Sequence, residues 1–267
     1  MNRFFIIASL LLAGIIFSSC GRVMMTGRKQ FLLFSDEQIM SLSDQSYNQF
    51  KAEMKFSQNK KYHESVNKVG KRMTDAVYAY MKERGLEAEY KKFNWQFSVV
   101  DNDQVNAFCL PNGKIVFYEG IFKYTDTPDK IAVVMGHEIA HAIAKHGNER
   151  MSQEALVGTA GSIVSQMIGG ENQQRNQAIF NIAFNVGARV GILLPYSRKH
   201  EYEADKIGVI IMALAGYNIN SAPLFWEAMM QKGGAKSEFL STHPSDQNRI
   251  VKIKEILPEI EKTYKKK

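Results

Sequence analysis

The sequence predicts an α+β fold that is mostly helical and carries one small antiparallel sheet. Apolar residues recur at helical spacing through most of the chain, and a single block between Phe93 and Tyr118 alternates as strands do. Hydrophobic residues make up 45% of the 267, which suits one globular domain with a sizeable core, or at most two small ones, and argues against a disordered chain.

Taken in order, the first residues, MNRFFIIASLLLAGIIFSSC, set Arg3 before an uncharged apolar stretch from Phe4 to Phe17, followed by small residues and Cys20. This is the pattern of a signal peptide over residues 1–19, too short for a comfortable membrane span. Because the small-residue site ends on Cys20, the segment resembles a bacterial lipoprotein signal, which implies a lipid on Cys20. Gly21 after the cysteine points by the same resemblance to the outer membrane. Residues 20–34 read as an extended tether, since Gly and Thr interrupt any helical pattern. Ser35 before Asp36 and Glu37 then marks a helix start and opens a domain over residues 35–267.

Helical spacing runs from there to about Phe56, and again from Lys61 to Arg84 through Val66, Val69, Met73, Val77, Tyr80 and Met81. Phe93, Trp95, Phe97 and Val99, then Lys114 to Tyr118 after a Pro111-Asn112-Gly113 turn, predict antiparallel strands. A further helix is expected from Pro128 to about His146, with Gly147 just past its end. Two apolar stretches, Ala155 to Gly170 and Ala178 to Leu194, are too short and Gly-broken to span a membrane and read as core or lid helices, with interfacial membrane contacts as the alternative. Helices are also expected over Ser197–Ala215, Ser221–Lys232 and Asp246–Leu257, the last stopped by Pro258.

The formal charge is +7, and losing residues 1–19 removes only Arg3, which leaves +6. The basic residues are spread out, without the clustered basic and aromatic pattern of a nucleic-acid module. With Cys20 lipidated, Cys109 is the only remaining thiol, so an intrachain disulfide is excluded and stability rests on the core and any metal.

In GHEIAHAIAKH, His137 and His141 are four apart, so on a helix they project from one face and can hold a single metal. Glu138 lies about 100° round the helix from His137, where it can reach water in an open metal position and act as general base. A catalytic site needs a third ligand, and SRKHEYEADKIG supplies Glu201 and Asp205 at the same spacing. Glu201 can complete the ligand set while Asp205 accepts the free ring N–H of a ligand His. Two alternatives stay open at this point: Glu203 as the ligand, or the acidic run as a solvated face. Ala144 and Gly147 stand where a metzincin needs Gly and His, and His146, one residue out of register, reads as a helix-end residue facing the C-terminal dipole.

These residues, with TGRKQF, NAFCLPNGKIVFYEGI, GHEIAHAIAKHGNERMS and THPSDQNRI, resemble the zinc metallopeptidase family of HtpX and the CAAX prenyl proteases, in its soluble periplasmic BepA-like branch. The resemblance implies a zincin-like domain, one Zn2+ per chain on His137, His141 and Glu201, and Glu138 in catalysis. It implies that Asn106, Ala107 and Phe108 line an edge strand where a substrate peptide pairs. It also implies a place near the metal for His243, either assisting the oxyanion or closing the open position. The tetratricopeptide array of BepA-like proteins has no counterpart here. The function implied is a lipid-anchored endopeptidase acting on unfolded or misassembled envelope proteins, touching the membrane through its lipid and binding no nucleic acid. The alternative is a chaperone or assembly factor whose zinc site His243 holds shut.

Overall fold

The computed structural model describes residues 20–157, 197–233, 238–243 and 247–264. The signal segment and, apart from residues 155–157, both apolar stretches read as core or lid helices lie outside the described residues.

Residues 20–34 are extended, but they do not trail away from the body. β1 (Cys20–Arg22) and β2 (Lys29–Phe31) pair antiparallel around a turn in which Gly27 takes φ 70°. Val23 and Phe34 are apolar residues that gain by leaving water, and both are buried in the core, so the expected tether is a docked hairpin.

Ser35 caps α1 (Asp36–Glu53) as the sequence foretold, with Gln38 returning the hydrogen bond to the Ser35 N–H in a capping box. Asn59 caps α2 (Lys60–Lys82), whose Val66, Val69, Met73 and Val77 form one buried stripe. A single turn, α3 (Glu87–Tyr90), precedes the sheet.

The sheet is mixed rather than antiparallel. β3 (Gln96–Val100) runs parallel to β5 (Lys114–Tyr118), while β4 (Ala107–Cys109) runs antiparallel to β5, in the order β3-β5-β4. The Pro-Asn-Gly turn does fold β4 and β5 into a hairpin, with Gly113 at φ 88°, but β5 then enters between β4 and β3. It can do so because all five of its residues are apolar enough or well enough bonded to be buried on both faces: Ile115 and Phe117 join the main core, Val116 and Tyr118 a smaller core under α1. Buried Lys114 donates to the Asn94 carbonyl.

Thr127 and Pro128 start α4 (Pro128–Ile143), which is buried all round from Ile131 onward, as a central helix must be. It ends earlier than expected. Lys145 takes a left-handed φ of 55°, and α5 (His146–Val157) begins where the first helix was predicted to finish, so Gly147 lies inside a helix rather than after one. The strained lysine is held by its Nζ, which donates to both Asp36 carboxylate oxygens at 2.7 and 2.9 Å.

α6 (Arg198–Leu214), capped by Ser197, packs across α4 more extensively than any other described helix pair. The crossing point is glycine on glycine: a Cβ on Gly136 would stand 2.9 Å from the Gly208 carbonyl oxygen. α7 (Ser221–Ala228) passes into a π-helical turn over Met229–Gly233, followed by the short α8 (Glu238–Thr242) and α9 (Gln247–Tyr264). α9 continues through Pro258, which was expected to stop it. Pro258 faces solvent, and the stripe Ile250, Ile253, Leu257 and Ile260 keeps both halves on the core.

Candidate metal centre

α4 carries His137 and His141 on successive turns, and the glycine contact with α6 brings Glu201 against them. His243, just after α8, completes a buried group whose four ligand atoms lie within 4.8 Å of one another. His137 Nε2 is 3.1 Å from His141 Nε2, 3.1 Å from His243 Nδ1 and 3.3 Å from Glu201 Oε2. Glu201 Oε1 is 3.4 Å from His141 Nε2 and 3.2 Å from His243 Nδ1. A tetrahedral ion with bonds of about 2.0–2.1 Å needs donor atoms about 3.3 Å apart, so the set fits one such metal.

His243 is fixed from its own side of the site. Its N–H donates to the Phe239 carbonyl, and the Phe239 ring stacks on Trp226 at 5.6 Å while packing against the His243 ring at 4.8 Å.

Glu138 is buried beside the group, with His243 Nε2 3.4 Å from its Oε1, and that oxygen makes no hydrogen bond. Burial pushes its carboxyl pKa up, although His243 and His137 pull the other way and the Cys109 N–H donates to it. A buried carboxylate with an oxygen that makes no hydrogen bond and an elevated pKa is the chemistry of a general base. That backbone contact comes from β4, the sheet edge packed on α4. Asn106 precedes this strand and accepts the Ala107 N–H on its Oδ1, Ala107 is buried, and Phe108 meets Phe50 edge to face at 5.3 Å. The three residues expected to line a substrate strand therefore lie along the edge next to Glu138.

Behind the ligands stand two carboxylates, each held by an arginine. Asp205 Oδ1 is 3.0 Å from His137 Nδ1, as its spacing to Glu201 implied. Asp205 is itself gripped by Arg249, whose Nε and Nη2 donate to it at 2.7 Å each. Arg249 is fully buried, lies 3.7 Å over the Trp226 ring, and also reaches Glu201 Oε2 at 2.8 Å. Burial would raise the Glu201 pKa, but His243, Arg249 and His137 outweigh it and hold the carboxyl well below its usual range. His137 shows the counterpart: burial opposes its protonation, yet Glu201 and Asp205 carry it up to about 9.

His141 is backed through a second imidazole. Its Nδ1 lies 3.0 Å from His146 Nδ1, and His146 Nε2 lies 3.0 Å from Glu203 Oε2. His146 is thus no dipole-facing helix end. Its position after the left-handed Lys145 turns it back onto His141. Glu203 likewise is neither a metal ligand nor a solvated acid: Thr26, Arg28 and His146 surround it. Burial would raise its pKa, but those three partners bring it down to about 2.

Arg249 and the Glu203 pairing went unseen in the sequence, and His146, read there as a helix-end residue, was given no part in backing His141.

A sequence model of peptidase family M48 matches residues 66–257. The chain is 36% identical over 168 residues to the mitochondrial metalloendopeptidase OMA1 of Schizosaccharomyces pombe, covering 62% of this chain and 47% of that protein. With the human mitochondrial metalloendopeptidase OMA1 it shares 29% over 247 residues, 88% of this chain and 45% of that one. With the beta-barrel assembly-enhancing protease of Escherichia coli K12 it shares 29% over 168 residues, 60% and 34%. It spans about a third to a half of the length of the curated relatives it matches. The whole converging group falls inside the matched stretch, and the chain belongs to peptidase family M48.

Proposed function

We propose that the chain is a zinc-dependent endopeptidase of the cell envelope, held to the membrane by a lipid on Cys20 and hydrolysing unfolded or misassembled envelope proteins. The observation that carries the enzymatic part is the spacing of His137, His141, Glu201 and His243 beside a Glu138 oxygen that makes no hydrogen bond. The likeness to metalloendopeptidases and to a beta-barrel assembly-enhancing protease supports it, and also supports a place in the soluble BepA-like branch. No helix among the described residues is long and apolar enough to cross a membrane. The outer-membrane lipid anchor rests on the pattern of residues 1–21.

His137, His141 and Glu201 would hold the metal, and Asp205 would fix the His137 tautomer. Bound there, Zn2+ supplies the Lewis acidity that polarises the scissile carbonyl and makes water a nucleophile at neutral pH. Glu138 takes the proton of that water on Oε1 and passes it to the leaving amine. A substrate strand laid along Asn106, Ala107 and Phe108 would bring its carbonyl to this point by pairing with the β4 edge. We expect the full chain in detergent to hold about one zinc and to cleave an unfolded protein. Glu138→Gln should keep the zinc and lower kcat/KM by about 10²–10⁴; full cleavage by that variant would overturn the mechanism.

One observation favours a second reading, a chaperone or assembly factor with a closed site. His243 Nδ1 lies closer to His137 Nε2, at 3.1 Å, than its Nε2 lies to Glu138, at 3.4 Å. A fourth ligand there would occupy the open position. Under this reading Glu138→Gln rescues an envelope defect as well as the unaltered chain does, and His243→Ala raises peptidase activity.

A further inference from the structure

We propose that Arg28, delivered by the N-terminal hairpin, is a positioning residue for the metal ligand His141, so that docking of the hairpin and retention of the metal are coupled. This rests on the zinc-site reading above. Arg28 lies outside residues 66–257, the stretch the family model matches.

Its guanidinium spans two acids from different helices. Nε donates to Glu203 Oε2 of α6 at 2.6 Å, while Nη1 and Nη2 donate to the two Glu149 oxygens of α5 at 2.8 and 2.6 Å. The Thr26 hydroxyl of the same hairpin donates to the other Glu203 oxygen. His200 Nε2 lies 3.1 Å from Glu149 Oε2, and its ring stacks on His146 at 4.6 Å. Both carboxylates are buried, so without the guanidinium two like charges would face each other out of water.

The coupling to the metal follows from where the protons must be. His141 turns Nε2 towards the ligand group, so its Nδ1 carries the hydrogen and donates to His146 Nδ1. His146 therefore carries its own hydrogen on Nε2 and donates to Glu203 Oε2, the same oxygen that receives Arg28 Nε. The sequence of bonds runs from hairpin to ligand without a gap. It mirrors the other side of the site, where Arg249 holds Asp205 and Asp205 holds His137. Remove Arg28 and Glu203 loses its charged partner while keeping Thr26 and His146, so it is held less firmly and the orientation of the His141 ring is less well set although every ligand is still present. By linkage, metal binding must tighten the hairpin as much as the hairpin tightens metal binding.

The test uses the full chain in detergent. Zinc dissociation constants are measured by equilibrium competition with a chromophoric chelator for the unaltered chain, Arg28→Met, Arg28→Lys and Arg22→Met, and amide exchange of residues 22–31 is followed with and without zinc. Loss of a partner behind a ligand His weakens metal binding by about 10–100-fold, and that is expected for Arg28→Met. Arg28→Lys should restore part of it, since an ammonium keeps the charge but cannot fork across both acids. Arg22→Met should bind as the unaltered chain does, because among the described residues Arg22 reaches the Gly27 carbonyl and neither Glu149 nor Glu203. Zinc should slow exchange at the Val23 and Gly27 amides, which bond within the hairpin. This arm needs no variant to fold. Equal zinc affinity in Arg28→Met, an equal loss in Arg22→Met, or exchange indifferent to zinc would overturn the coupling alone. An unaltered chain that binds no zinc would overturn the site reading with it.

Discussion

At the scale of single residues, His137, His141 and Glu201 were legible as a candidate metal group because the pairs are local: two His four apart, and Glu201 with Asp205 four apart, are visible as one helix face each, whereas His243 came from the family resemblance alone. The groups that hold those ligands were not legible, because they arrive from elsewhere. Arg249 comes from α9, and nothing about Asn248-Arg249-Ile250 distinguishes it from a surface arginine. Its burial against Asp205, Glu201 and Trp226 makes it the most consequential side chain that periodicity could not find. Arg249→Met would leave the Asp205 and Glu201 carboxylates uncompensated in the interior. We expect it to lower unfolding free energy by about 3–5 kcal/mol, read from urea midpoints, since breaking a buried pair strands its partner. A stability within error of the unaltered chain would show that the arginine is dispensable to the fold.

At the scale of elements, starts were easier to read than ends. Ser35, Thr127 with Pro128, and Ser197 each begin a helix through a hydroxyl that accepts a backbone N–H three residues on. The end of α4 is set by tertiary contacts instead: the Asp36 clamp on Lys145 and the return of His146 to His141 override the nearby glycine. Pro258 is overridden in the same sense by an apolar stripe that continues beyond it. The parallel pairing of β3 with β5 is non-local and left no local mark. The α4–α6 crossing gives a test at this scale. In Gly136→Ala the new methyl would meet the Gly208 carbonyl and Met73 Cε, each 2.9 Å away; the methionine can yield, but the backbone cannot. Forcing the helices apart should cost about 1–3 kcal/mol and, because His137 is the next residue, weaken zinc binding in the same samples. A variant that lost stability and kept its zinc affinity would separate the packing from the site.

At the scale of the whole molecule, the α+β class and a sizeable core were legible from composition and periodicity, while the division into a main and a smaller core and the docking of residues 20–34 were not. The two buried acids that Arg28 of this segment bridges contribute to stability towards acid. Glu149 and Glu203 are each held at about 2 in the folded state, against about 4.3 in an unfolded chain. Burial works against this, and His200 with Arg28 for Glu149, or His146, Thr26 and Arg28 for Glu203, overcome it. A depressed folded pKa contributes stability that is complete above the unfolded value and lost as pH falls through the folded one. Unfolding midpoints in urea should therefore decline between about pH 4.5 and 2, and Arg28→Met should flatten that decline. A profile identical in both chains would remove Arg28 from the account.

The two arginines behind the ligands stand at positions 28 and 249, near opposite ends of the sequence given. While the chain is being synthesised, the helix with His137, Glu138 and His141 emerges long before Arg249 does. A chain cut short of Arg249 would keep His137, Glu138 and His141 while losing the guanidinium that grips Asp205 and Glu201, so the helix bearing the two histidines is by itself an incomplete site.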